Sequence, residues 1–258
     1  MVGWYDEIGD LLRHSAVLHA DETGWRVNGK TYWLWCFTTQ DATYFVIDRS
    51  RASPVVLRFL KNVFNGILVT DFWGVYNAVV CAGKQKCLVH LLRELKKVTK
   101  YSDKSVHWLL FSKRLKRILR DARRLCGERE KMPESDYERL RNRLEQRLTK
   151  LLEQEWNNAD AKRLVKRLRR HRNELLTFLY YKDLPFDNNH TERVIRGGVV
   201  MRKNSYCNRS LKDAETQAIL MSIFRTLKQR NYKNINIIID AIKIYHKTRK
   251  LPKLPTKK

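Results

Sequence analysis

The apolar pattern of the chain changes near residue 90, and that change divides any fold it can adopt into two kinds of structure. Before residue 90, short apolar runs are separated by turn signals. From about residue 90 to 182, apolar residues recur at helical spacing in a highly charged background. Residues 16–21 read as a short buried strand. Trp25–Trp35 reads as a hairpin whose Asn28-Gly29 supplies the two positive-φ positions of a tight turn. Thr43–Ile47 is a third strand after a turn at Gln40-Asp41. Ser53-Pro54 starts a helix, with Ser53 as N-cap and Val55, Val56, Phe59, Leu60 and Val63 as its apolar face. Gly66–Thr70 is a fourth strand and Lys86–Val89 a fifth. Strands interrupted by helices in this order predict a mixed α/β sheet.

In the second region a helix is expected over about 104–126. Tyr137, Leu140, Leu144, Leu148 and Leu151 follow, then Leu164, Leu168, His171, Leu175 and Phe178. Their spacing is heptad-like and predicts two helices packed as an antiparallel pair. Gly127 and Met132-Pro133 separate them from the preceding helix. A further helix is expected over 211–230, with Ala214, Ala218, Met221, Phe224 and Leu227 on one face, and a last one over Ile235–Tyr245. The Lys- and Pro-rich tail Lys250–Lys258 reads as disordered.

The chain is long enough, at 258 residues, for a substantial core, and 43% of them are hydrophobic. Its 53 Lys+Arg stand against 27 Asp+Glu, a formal charge of +26. The excess lies in the C-terminal two-thirds. A polyanionic partner follows, nucleic acid before membrane. No apolar run approaches the ~18 residues of a membrane span, and no signal peptide is visible, so a cytoplasmic location associated with the nucleoid is expected. The five cysteines, at 36, 81, 87, 126 and 207, are scattered and odd in number, and read as reduced thiols.

Three acidic residues stand out. Asp21 ends the run Ala16–Ala20, and Asp71 ends the run Gly66–Thr70. Glu192 follows the loop Leu184–Asn189 into a helix. An acid at the C-terminal end of a strand projects from the sheet rim, where ligands bind in open α/β sheets. If the two strands are neighbours, their carboxylates face each other and call for a cation. Glu192 could complete an oxygen site for Mg²⁺. Two such ions would activate a water or 3′-hydroxyl and stabilise the leaving oxygen. Taken singly, each Asp is also an ordinary strand-ending turn residue, and Asn189-x-x-Glu192 is also a capping box.

The wording around these acids is more specific. His19-Ala20-Asp21-Glu22-Thr23-Gly24-Trp25 with Trp33-Leu34-Trp35, then Asp71–Tyr76 with Cys87-Leu88-Val89-His90-Leu91-Leu92-Arg93, then Leu184-Pro185-x-Asp187-Asn188-Asn189-x-x-Glu192-Arg193 with Arg202-Lys203-Asn204, resemble in order the three catalytic blocks of the insertion sequence 66 family of DDE transposases. The resemblance runs from about residue 14 to 245. It implies a ribonuclease-H-like mixed sheet with Asp21, Asp71 and Glu192 as metal-binding triad. The implied metal is Mg²⁺ or Mn²⁺, as two ions, and the implied activity is cleavage of transposon-end DNA and strand transfer into target DNA. It divides the chain into a catalytic domain (14–100 and 183–230), a helical insertion between the second Asp and the Glu (101–182), and a C-terminal helix with basic tail (231–258). The implied partners are transposon-end and target DNA, a second copy in a synaptic complex, and accessory proteins encoded by the same element. Two departures do not touch the triad: Asp71-Phe72-Trp73-Gly74-Val75-Tyr76 stands where relatives commonly have a short Asp-Gly-Tyr, and Arg93 stands alone where a pair of arginines often follows. Larger relatives carry an N-terminal DNA-binding region, so a truncated copy or a catalytic half is expected.

Around the triad, His90, Arg193, Arg196, Arg202 and Lys203 are the candidate DNA contacts. Arg196 shares a helix face with Glu192 and could hold either the carboxylate or a phosphate. Met201–Tyr206 is a basic stretch with an aromatic. The Arg/Lys runs at 113–124 and 162–172 read individually as solvated helix faces and together as a track for a phosphate backbone. Cys87-x-x-His90 is half of a zinc pattern without a second pair of suitable spacing. Two rival functions fit the same residues: a catalytically inactive DNA-binding remnant that regulates its parent element, and a ribonuclease-H-like nuclease acting on branched DNA or RNA–DNA hybrids. Metal-dependent nicking separates the first, and joining of a 3′ end separates the second.

Overall fold

A computed structural model describes residues 1–101, 105–205 and 208–257. The chain forms two compact units, Met1–Ala82 with Asn188–Lys258, and Gly83–Asp187.

The first unit opens with a helix that the strand-based reading did not include, α1 (Val2–Arg13). Trp4, Ile8 and Leu12 recur every four residues along it and are buried, which is the apolar stripe of a core-facing helix. Three strands follow: β1 (Val17–Val27), β2 (Lys30–Thr38) and β3 (Thr43–Asp48). Asn28 and Gly29 turn β1 into β2 with φ of 47° and 72°, as the hairpin reading requires. α2 (Ser53–Leu60) begins one residue earlier than expected. Its cap position is Ala52, and Ser53 lies in the first turn. Val55, Val56, Phe59 and Leu60 are buried, but Val63 is 56% exposed and belongs to β4 (Val63–Thr70). A short 3₁₀ turn at Gly74–Ala78 leads to the next strand. The fifth strand, β5 (Val80–Lys86), stops where the sequence reading placed it beginning, and Leu88–Val89 are already helical.

The sheet order is β3-β2-β1-β4-β5. β2 is antiparallel to both β1 and β3, whereas β4 runs parallel to β1. The division between the units falls within β5. Alternation along the strands sends odd and even residues of β1 to opposite faces. Leu18 and Ala20, with Trp35 and Phe37 of β2, join Trp4, Ile8, Val56 and Phe59 in one core. Trp25, Val27, Leu34 and Cys36 join Val194, Ile195, Ala214 and Met221 in the other. The latter come from α7 (Asn189–Ser205) and α8 (Leu211–Gln229). On α8, Ala214, Ala218, Met221 and Leu227 of the expected face are buried, while Phe224 is 39% exposed and Ile223 is buried beside them.

The C-terminal end also departs from expectation. After α9 (Asn234–Thr248), residues 251–257 carry no regular structure, yet they pack on the unit. Leu254 is 3% exposed within the α1-side core. Trp4 donates from Nε1 to the Pro252 carbonyl at 2.6 Å, and Arg230 from Nη1 to the Pro255 carbonyl at 2.5 Å. Backbone carbonyls and one apolar side chain hold a segment whose composition reads as disordered. Lys258 lies outside the described residues.

The second unit is mainly helical: α3 (Leu88–Tyr101), α4 (Val106–Gly127), α5 (Glu134–Glu153) and α6 (Ala159–Arg170). Lys104, where a helix was expected to start, lies outside the described residues. Ser105 caps α4 by accepting from Trp108 N, and Asn158 caps α6 by accepting from Ala161 N. The expected α5–α6 pair is only partly realised. α4 is the principal partner of both helices, and α6 ends at Arg170, where two short 3₁₀ turns take over. Trp108, Phe111 and Trp156 pack together in the core of this unit, Trp108 tilted against Phe111 at 5.9 Å between ring centroids and Phe111 edge-on to Trp156 at 5.1 Å. Gln85 is fully buried and ties the end of β5 to the 3₁₀ segment: Nε2 donates to the Leu175 carbonyl at 3.1 Å, and Oε1 accepts from Phe178 N at 2.9 Å.

Candidate functional site

Asp21 does not end its strand. β1 runs on to Val27 because its partner changes along its length. The parallel ladder with β4 pairs Val17 with Ile67, Leu18 with Leu68 and His19 with Val69. The antiparallel ladder with β2 spans His19 to Val27. Asp21 therefore stands just beyond the point where β1 and β4 part, and a rim position is created inside a continuous strand. Asp71 follows the last residue of β4. Continuing the same register two residues past His19 and Val69 sets Asp21 level with Asp71.

Glu192 lies in the first turn of α7. That helix rests on the sheet through Val194, Ile195 and Gly198. Its start is pinned by Asn188, which is fully buried. Asn188 Nδ2 donates to the carbonyl of Ala20, the residue before Asp21, at 3.0 Å. Its Oδ1 is 2.9 Å from His19 Nδ1 and accepts from Thr191 Oγ1 at 2.9 Å. The cap position thus falls on Asn188, one residue before the expected Asn189–Glu192 box. One amide joins the strand bearing Asp21 to the helix bearing Glu192.

Asp21 is the acid on which the neighbouring negative charges act. Burial pushes the Asp21 carboxyl up to about 7, aided by the negative charges of Glu22, Asp71 and, least, Glu192. The Glu22 backbone N–H, 2.9 Å from Asp21 Oδ1, works in the opposite direction. Carboxylates gathered in this way repel, and a divalent cation with oxygen preference is the charge that relieves them. Carboxylate oxygens are the donors that hard divalent cations accept.

Glu22 faces the other side of the sheet from Asp21, and its side chain is only 2% exposed. Burial raises its carboxyl, while Tyr76 and Arg51 hold it down. Tyr76 donates to Oε2 at 2.6 Å, and Arg51 donates to Oε1 from Nη2 at 2.9 Å and from Nε at 3.2 Å. The Arg51 guanidinium lies over two indoles, 4.2 Å from the centre of Trp33 and 4.4 Å from that of Trp73. Trp73 in turn donates its backbone N–H to Asp71 Oδ1 at 2.8 Å. The sequence reading missed this group. Glu22 and Tyr76 sit inside the quoted blocks, but nothing in the sequence ties Arg51 to them.

Among the candidate DNA contacts, Arg193, Arg196 and Lys203 are exposed on α7. Arg202 is half-buried and donates from Nη1 to the Gly24 carbonyl of β1, so part of its guanidinium serves the fold. Tyr206 lies outside the described residues, as does Cys207; among the described residues, Cys36, Cys81, Cys87 and Cys126 form no disulfide. His90 is half-buried in the first turn of α3, in the second unit, with Cys87 just before that helix. The same unit has an open cavity of about 960 Å³ bordered by Arg114, Lys162, Lys166 and Arg169. Both basic runs seen in the sequence contribute to it. Among the described residues, no helix is long and apolar enough to cross a membrane.

A family model described as "Transposase IS66 family" matches residues 2–216. No curated protein matches the chain.

Proposed function

The chain belongs to the transposase IS66 family, and from that premise we propose that it is a DDE transposase, cleaving DNA at transposon ends and joining the freed 3′ end to target DNA. What supports the reading is that Asp21, Asp71 and Glu192 stand on three separate elements of the first unit, and that the charges of Asp71 and, more weakly, Glu192 bear on the Asp21 carboxyl. Asp21 and Asp71 would share the divalent ions, Mg²⁺ or Mn²⁺ and two in number, with Glu192 on the second. When bound, such ions supply activation of a water or 3′-hydroxyl and stabilisation of the leaving oxygen.

The protein's own part is positioning and charge. The register of β1 and β4 sets Asp21 level with Asp71, and Asn188 ties the start of the helix that carries Glu192 to β1. Arg51 and Tyr76 keep Glu22 turned to the opposite face. The exposed Arg193, Arg196 and Lys203, with Arg202 and His90, would hold phosphates and fix the scissile strand without reading its sequence. We read the sheet and its flanking helices, residues 14–100 and 183–230, as a ribonuclease-H-like catalytic domain, 101–182 as a helical insertion and 231–258 as a C-terminal appendage. A second copy in a synaptic complex, accessory proteins of the same element and a nucleoid-associated cytoplasmic location belong to the same proposal.

Asp71→Asn keeps the side chain's size and removes its charge. In a nicking and strand-transfer assay with Mg²⁺, the variant is expected to lose cleavage by at least about a hundredfold, the scale on which catalytic charge stabilisation is lost, while retaining DNA affinity. Cleavage at the wild-type rate in Asp71→Asn would falsify the assignment.

A further inference from the structure

Trp73 is unusual among the large apolar side chains of the first unit. It is 41% exposed, yet it is held at both ends. Its backbone N–H is fixed by Asp71 Oδ1 at 2.8 Å, and its ring lies against the Arg51 guanidinium at 4.4 Å. Arg51 is itself fixed by Glu22 and by Trp33. Exposure of a single indole is ordinary, but fixing it at both its backbone and its ring is a separate feature. One that is already ordered gives up little side-chain freedom when a flat ring stacks on it. Its place is also specific, two residues beyond one of the three carboxylates.

We propose that Trp73, backed by Arg51, is a stacking platform for an unpaired nucleobase of a DNA strand entering the site. The inference rests on the DNA-cleaving reading above and adds to it a contact made with a base rather than a phosphate. Every base offers a π-face, so the platform would be sequence-tolerant, and it would favour DNA whose bases are unstacked beside the scissile bond. The guanidinium on the indole strengthens the arrangement, since a cation over one face polarises the ring.

The test is fluorescence anisotropy with the full chain and three labelled probes: a short oligothymidine, the same length of strand with abasic sites throughout, and a duplex. Stacking on an aromatic side chain is worth about 1–3 kcal/mol per base. Trp73→Ala is therefore expected to weaken oligothymidine binding roughly five- to 150-fold. It should bind the abasic strand with wild-type affinity, and Trp73→Phe should recover most of the loss. If Trp73→Ala does not fold, Trp73→Leu retains apolar cover over Arg51 and is read in the same way. Equal affinity of variant and wild type for oligothymidine overturns the platform, as does an equal loss on the abasic strand. In the first case, wild-type binding to all three probes leaves the DNA-cleaving reading intact. A wild-type chain that binds none of them overturns both.

Discussion

Asp21 holds its proton to about pH 7 in the metal-free fold, whereas an unfolded Asp releases it near 4. Between those values the folded chain binds a proton that the unfolded chain does not. Stability contributed by this group therefore falls as pH rises from about 4 to about 7, and then levels off. Thermal melts in chelator should show this slope, and Asp21→Asn should flatten it. Mg²⁺ must displace the same proton, so its stabilising effect should be larger at pH 8 than at pH 5. A magnesium-induced rise in Tm that is equal at both pH values, or that survives intact in Asp21→Asn, would contradict the assignment of Asp21 to the ion. At this scale the sequence was informative about acids and poor about their partners. An acid after an apolar run is visible in one dimension. The Glu22–Arg51–Tyr76 group joins residues separated by whole elements, and only the folded sheet brings them together.

The relation between β1 and α7 decides where Glu192 lies. Asn188 ties the two through bonds to the Ala20 carbonyl and to His19. Asn188→Ala would leave buried polar groups without their partner, at a cost of about 1–3 kcal/mol in urea unfolding. Because the link fixes a carboxylate, cleavage should fall in kcat more than in KM, and wild-type kcat would show that the link serves stability alone. Gly198 is a second constraint: a Cβ there would come within 2.5 Å of Leu34 Cδ2 and 3.2 Å of Met221 Cε, both in the core under the helix. Gly198→Ala is expected to destabilise by about 1–3 kcal/mol through overpacking, measured in the same way. Elements with local turn chemistry, such as the Asn28-Gly29 hairpin, could be read from the sequence. The misread ones depend on distant partners. The apolar run of β1 stops at its first charged residue, but the ladder with β2 carries the strand on to Val27. The apolar spacing of α6 continues to Phe178, although the backbone passes into 3₁₀ turns after Arg170.

For the whole molecule, a charge of +26 makes binding to a polyanion an ion-exchange process. DNA affinity should drop at least about tenfold between 50 and 200 mM salt, and by a similar factor for unrelated sequences. An affinity insensitive to salt would contradict phosphate contacts as its source. Composition carried this expectation, along with the change from strand to helix along the chain. It misjudged the tail, since Lys and Pro content describes solvation and not the two proline carbonyls that anchor residues 252–255. The central claim is that Asp21, Asp71 and Glu192 together hold divalent metal for DNA cleavage and joining. A crystal structure of the protein soaked in Mn²⁺, read in anomalous difference maps, addresses it most directly. The account predicts one or two manganese peaks bonded to carboxylate oxygens of all three residues. Manganese bound elsewhere, with Glu192 turned away from Asp21 and Asp71, would contradict it.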